Sequence, residues 1–71
     1  MLNAQELLTI AVDIEVNGHR FYTQVAAALS VAAVKDLFMH FAAEEIRHRD
    51  RFAAMRDAVR GYQPQTTLPE E

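Results

Sequence analysis

Residues 34–59 read VKDLFMHFAAEEIRHRDRFAAMRDAV, and this stretch decides the fold. Its apolar side chains recur at alternating steps of four and three residues, which is the pattern of a helix face packed in a bundle. The positions of this face, called the second seam below, are Val34, Phe38, Phe41, Glu45, His48, Phe52, Met55 and Val59. All of them are apolar except Glu45 and His48. The stretch therefore predicts a long helix with two ionisable groups on its packing face.

A first seam of the same kind lies upstream. Its positions are Leu8, Ala11, Glu15, Gly18, Tyr22, Val25 and Leu29, again with one carboxylate. Asn3 is a good N-cap for this helix, and Glu6, three residues later, can complete a capping box. Ser30 is the only strong break between the seams and can cap a second helix that begins at Val31. So short a connection makes the two helices antiparallel.

The sequence thus predicts an all-α antiparallel hairpin with helices over about residues 3–29 and 31–60. Gly61 fits the C′ position after the second helix, and Pro64 and Pro69 forbid its continuation. We therefore expect one helical hairpin domain over residues 1–60 and a flexible C-terminal tail over residues 61–71.

The size of the chain bears on its assembly. Seventy-one residues form one small domain that is marginal alone, and the sequence has no cysteine for disulfides or thiolate-bound metals. A metal or a partner chain therefore remains as the source of stability. A hairpin cannot close a core, whereas two hairpins form a four-helix bundle. We predict a symmetric homodimer, or a higher homo-oligomer built from it.

Composition and charge exclude several functions. Hydrophobic residues make up 51% of the chain, which is typical of a folded protein, and the formal net charge is -3. The arginines of residues 47–60 alternate with acidic residues, which indicates a salt-bridged solvated face and no nucleic-acid partner. The N-terminus lacks the pattern of a signal peptide, and no apolar stretch approaches about 20 residues. We expect no membrane partner and a cytoplasmic protein.

The ionisable seam residues predict a metal site. Glu45 and His48 are three residues apart on one helix face, and Glu15 and Glu45 lie fifteen residues before and after Ser30, hence at the same height in the hairpin. Glu-x-x-His on one helix facing Glu on another is metal-ligand spacing. Carboxylate and imidazole ligands suit iron or manganese. The four carboxylates of a dimer would balance two divalent ions, so we predict two metal ions per dimer, iron or manganese, with zinc as a substitute.

Other interpretations of these positions stay open. The Glu45 and His48 pair could lie at a boundary with solvent, although three ionisable groups at one height favour the metal. Gly18 is either a tolerated glycine or a point of close helix approach beside Glu15. Tyr22 either hydrogen-bonds a ligand carboxylate or is a core tyrosine.

The residues beside the seam are secondary candidates. Glu44 is the leading candidate for a secondary metal contact, and His19 is a second one. His19 and His40 both lie off the seams, where we expect them to be solvated or to flank the site.

At this point the chain resembles a known family. The pattern A-x3-E-x6-Y at Ala11, Glu15 and Tyr22, and the pattern K-x-L-F-x2-F-A-x-E-E-x2-H over residues 35–48, are similar to those of rubrerythrin-type ferritin-like proteins. The resemblance covers residues 4–55 and implies a di-iron carboxylate site in a four-helix bundle, used for ferroxidase or peroxidase chemistry. It implies that Glu15, Glu45 and His48 are metal ligands and that the Tyr22 hydroxyl forms a hydrogen bond with one of them.

The chain also departs from that family. It carries one helical pair where the usual domain has two, and it lacks the cysteine-bearing electron-transfer domain. The half-length form is most similar to encapsulated ferritins, which build their di-iron site between two chains inside a protein nanocompartment. The resemblance therefore implies an encapsulating shell protein as a further partner, although TTLPEE at residues 66–71 contains no targeting peptide that we recognise.

Three functions follow from these observations. The first is a dimeric di-iron oxidoreductase that oxidises ferrous iron with oxygen or peroxide. The second is a metal-binding storage or delivery protein without turnover. The third is a structural dimerisation hairpin that binds no metal.

Overall fold

Two helices and a short connection form the part of the chain that the computed structural model describes, residues 1–61. Helix α1 spans Ala4–Ala28 and helix α2 spans Ala32–Gly61. The predicted all-α hairpin is confirmed, and residues 1–61 contain no strand. Apart from Gly61, the tail predicted to be flexible lies outside the described residues.

The start of α1 is fixed by the predicted capping box. The Asn3 side-chain oxygen accepts a hydrogen bond from the backbone N–H of Glu6 at 2.8 Å, and the Asn3 N–H donates to the Glu6 carboxylate at 2.9 Å. The backbone N–H groups of Asn3 and Glu6, which have no partner inside the helix, are thereby both hydrogen-bonded. Glu6 also places a negative charge in the first turn, where the helix dipole favours it.

The connection differs slightly from the prediction. Helix α1 ends at Ala28, and the C-cap residue Leu29 has an extended backbone whose N–H donates to the Ala26 carbonyl at 3.2 Å. Helix α2 begins one residue later than expected, with the Val31 carbonyl accepting from the N–H of Lys35 at 2.9 Å. Val31 therefore occupies the cap position predicted for Ser30, since backbone hydrogen bonds close the turn and the side chain of Ser30 forms none within the described residues.

The end of α2 also extends one residue further than predicted. Gly61 is the last helical residue and does not adopt a positive φ angle. It therefore does not form the left-handed C′ turn expected from the sequence, and a glycine without positive φ can continue the helix.

Contacts across the hairpin are antiparallel. Nη1 of Arg56 lies 3.4 Å from Oγ1 of Thr9, and Nδ1 of His48 lies 3.4 Å from Oε1 of Glu15. The Tyr22 ring centroid lies 6.0 Å from that of Phe38. Partner numbers in α2 fall as residue numbers in α1 rise, which is the register expected for helices joined by a tight turn.

The interior of the hairpin is small. Among residues 1–61 only Ala26 and Ala42 are buried, each about 1% exposed. Large apolar side chains remain exposed on both helices, including Leu7, Ile10, Ile14, Phe21, Leu37 and Met55. Contiguous apolar surface of this kind marks a contact face more often than a solvated one.

Neither α1 nor α2 contains an apolar stretch long enough to span a lipid bilayer.

Candidate metal centre

The three predicted metal ligands converge in the middle of the hairpin. Glu15 comes from α1, and Glu45 and His48 come from successive turns of α2. Each offers one ligand atom, and the three atoms all lie within 4.8 Å of one another. All three residues are partly buried. The structure therefore brings together the set that the seam spacing selected, and the His48 side chain, which is 44% exposed, still borders solvent.

The donor set fits a divalent transition metal. Bonds from such a metal to carboxylate oxygen or imidazole nitrogen are about 2.0–2.2 Å long, so two opposite ligands lie about 4.2 Å apart. A separation of at most 4.8 Å therefore needs side-chain adjustments of only about half an ångström to close on one ion. Two carboxylates and one imidazole match the preferences of iron and manganese.

The electrostatics of the cluster also favour a cation. The pKa of the Glu45 carboxyl is raised by its hydrogen bond with Glu15, by burial, and by repulsion from the Glu15 charge. The His48 imidazole acts in the opposite sense and lowers it. Two carboxylates are thus held where both cannot easily be ionised, and a bound cation would relieve that repulsion.

Gly18 lies directly opposite Glu45. A Cβ atom at residue 18 would be 3.0 Å from Cδ of Glu45 and 3.1 Å from its Oε1. Side chains do not tolerate such contacts without moving. The structure therefore supports a close approach at Gly18, made by the side chain of Glu45.

His19 has a contact that the sequence did not predict. Its Nδ1 lies 3.0 Å from the Ala42 carbonyl oxygen, and the residue is partly buried between the helices. A carbonyl only accepts, so Nδ1 carries the proton and donates it. The signal available in the sequence was the four-residue spacing from Glu15, which places both on one side of α1. His19 is not among the three clustered groups.

Glu44 pairs with basic residues of its own helix. It forms an ion pair with Arg47 and lies 3.6 Å from His40. The hydrogen bond from Arg47 holds the pKa of the Glu44 carboxyl below its usual value. The secondary metal contact of Glu44 stays a prediction, as does that of His19.

Tyr22 lies in an aromatic cluster beside the site. Its ring centroid is 5.4 Å from that of Phe21 and 5.3 Å from that of Phe41. Within residues 1–61 the structure records no hydrogen bond from the Tyr22 hydroxyl to a ligand carboxylate. The contacts thus match a core tyrosine, and the bond to a ligand stays a prediction.

An antiparallel helical hairpin with a Glu, Glu and His cluster defines the class of ferritin-like carboxylate proteins. The family model described as Rubrerythrin matches residues 6–68, most of the chain. The chain belongs to the rubrerythrin family, and the resemblance in its motifs is confirmed. No curated protein gives a significant match, and no solved structure does.

Proposed function

We propose that this protein is a di-iron carboxylate protein that oxidises ferrous iron with oxygen or peroxide. The observation that carries the proposal is the convergence of Glu15, Glu45 and His48 within 4.8 Å in a member of the rubrerythrin family. A structural hairpin does not by itself require two carboxylates to be held beside each other in a partly buried position, whereas a storage protein would use the same ligands.

A second copy of the chain would complete the site. One chain offers three ligands, and two chains offer four carboxylates and two imidazoles, which balance two divalent ions. We therefore propose a homodimer in a four-helix bundle, with two irons between the chains. Iron is the proposed native metal, and manganese or zinc could replace it in the same donors.

The exposed apolar residues support this pairing. On α2, Leu37 precedes His48 by eleven residues and Met55 follows it by seven, so all three lie on one side of the helix. On α1, Leu7, Ile14 and Phe21 recur every seven residues. These uncovered stripes flank the metal centre, where a second hairpin would bury them and shield the site from water.

The residues of the proposed site would have different roles. Bound iron would supply the electron transfer to the oxidant. Glu15 and Glu45 would neutralise the ions, and Glu45 would give up any proton it holds when a cation binds. His48 would act as a neutral donor. We propose that the protein works in the cytoplasm, and an encapsulating shell is a further hypothetical partner on the basis of resemblance alone.

Anaerobic titration with ferrous ion, followed by addition of oxygen or peroxide, tests the proposal. We expect about two irons per dimer and oxidation over many turnovers. Glu45→Ala should lose both, whereas Asp50→Asn should keep both because Asp50 is an exposed carboxylate paired with Arg49. Oxidation no faster than with Glu45→Ala would reject the enzyme.

The same titration separates the alternatives. Iron binding without multiple turnovers would indicate the storage or delivery protein. A structural hairpin would bind no iron, and its melting temperature and oligomeric state would be the same with and without a chelator. In that case Glu45→Leu should also stabilise the protein, since replacing a buried charge by a hydrophobic side chain often does.

A further inference from the structure

Adjacent residues of α1 contact two successive turns of α2. A Cβ at Gly18 would lie 3.0 Å from Cδ of Glu45, and His19 donates a hydrogen bond to the Ala42 carbonyl at 3.0 Å. Ala42 is itself almost completely buried. Both contacts therefore lie next to the ligand cluster.

These two contacts have different effects. The absence of a side chain at Gly18 leaves room that the Glu45 carboxylate fills, so this carboxylate lies against the backbone of α1 one turn after Glu15. The His19 bond holds α2 at a fixed height along α1, one turn before Glu45. Glycine is a poor helix former in a helix interior, and the sequence carries it here in the middle of a 25-residue helix.

We propose that Gly18 is a positioning residue for the metal centre. It lets the Glu45 carboxylate lie beside that of Glu15, and His19 keeps the two at the same height. This inference rests on the proposed function, because the carboxylate pair is taken to be a metal site. Alanine at residue 18 would favour the helix and displace Glu45, so stability and metal affinity should respond differently to one substitution.

A double-mutant cycle in chelator-treated protein tests the close approach without metal. The variants are Gly18→Ala, Glu45→Ala and both together, compared by melting temperature. With Glu45 removed, alanine at residue 18 should raise the melting temperature by about 4 °C or more, because only the gain in helix propensity remains. With Glu45 present, we expect a smaller rise or none. Equal rises in both backgrounds would overturn the proposal.

Asn17→Ala is the matched control for this cycle. Asn17 is the exposed neighbour of Gly18 in the same helix. Its replacement should change the melting temperature by the same amount with and without Glu45. A difference as large as that for Gly18 would show that the coupling belongs to the helix in general and not to the contact.

Anaerobic calorimetry with ferrous ion tests the positioning role. We expect the dissociation constant of Gly18→Ala to rise about tenfold or more, while its metal-free melting temperature does not fall relative to the native protein. Asn17→Ala should bind like the native protein. An unchanged constant in Gly18→Ala would overturn the positioning role. Native protein that binds no iron would reject the proposed function, and with it this role, while the melting cycle would still decide the packing contact.

Discussion

Nδ1 of His48 lies 3.4 Å from Oε1 of Glu15, across the hairpin and 33 residues away in the chain. The Glu15 side chain is 16% exposed and that of His48 is 44% exposed. Glu15 is therefore the inner member of the pair, and His48 lies at the open edge of the cluster. An ion or a second chain would meet His48 from the solvent side.

Removal of metal should lower the stability of the protein. A ligand at 100 times its dissociation constant stabilises the folded state by about 2.7 kcal/mol, which raises the melting temperature by about 10 °C or more. Adding manganous ion to chelator-treated protein should produce this rise. His48→Ala should lose most of it, and the exposed His40→Ala should keep it. Coincident melting curves with and without the ion would contradict the metal site.

The metal-free protein should lose stability as pH rises through the raised pKa of Glu45. The folded state then binds the Glu45 proton more tightly than the unfolded state, so this contribution is fully present below the unfolded pKa and is lost above the folded one. Glu44, whose pKa is lowered by Arg47, contributes in the opposite direction.

Urea unfolding at several pH values, in the native protein and in Glu15→Gln, isolates the effect. Glu15→Gln removes the carboxyl group whose hydrogen bond and charge raise the pKa of Glu45, but it leaves Glu44 unchanged. We expect the difference in unfolding free energy between the two proteins to favour Glu15→Gln increasingly as pH rises. A difference that does not vary with pH would rule out the carboxylate interaction.

Leu37 and Met39 provide a matched test of the proposed dimer. They are 48% and 47% exposed, and they lie two residues apart in α2, on opposite sides of the helix. Leu37→Asp should place a charge in the contact face and shift the solution mass towards a single chain. Met39→Asp should leave the mass unchanged. Sedimentation equilibrium measures both, and equal masses for the two variants would contradict this contact face.

His19 and His40 provide a matched test of the packing between the two helices of one hairpin. His19→Ala removes the hydrogen bond to the Ala42 carbonyl and should lower the unfolding free energy by about 1 kcal/mol. His40→Ala removes only an exposed contact with Glu44 and should change it by less than about 0.5 kcal/mol. Chemical denaturation in the presence of a chelator compares them. Similar losses for both would mean that the His19 bond contributes little.

Periodicity and capping rules predicted most of the fold. The two seams gave the helices to within about one residue, and the capping box of Asn3 and Glu6 is confirmed. The turn was less predictable. The cap of α2 is Val31 and not Ser30, because backbone hydrogen bonds close the turn without the Ser30 side chain. Gly61 was assigned a left-handed turn from its residue type, but glycine permits that conformation without requiring it.

The candidate site followed from register. Because the turn is short, equal distances from Ser30 placed Glu15 and Glu45 at one height, and the spacing of three placed His48 beside them. The contact of His19 with a carbonyl could not be predicted in this way. It depends on the separation of the helices and on one side-chain rotamer, and periodicity specifies neither. The aromatic contacts of Tyr22 could not be predicted for the same reason.

Because α1 and α2 lie side by side, the described chain is a single layer of helices about 10 Å thick. An ion held by one such layer would have protein on one side and bulk water on the other. Under the proposed pairing, chemistry that needs shelter from water would exist only while two layers are joined. Dilution below the dissociation constant of the dimer would then abolish the proposed activity, reversibly and without any change in the covalent structure of the protein.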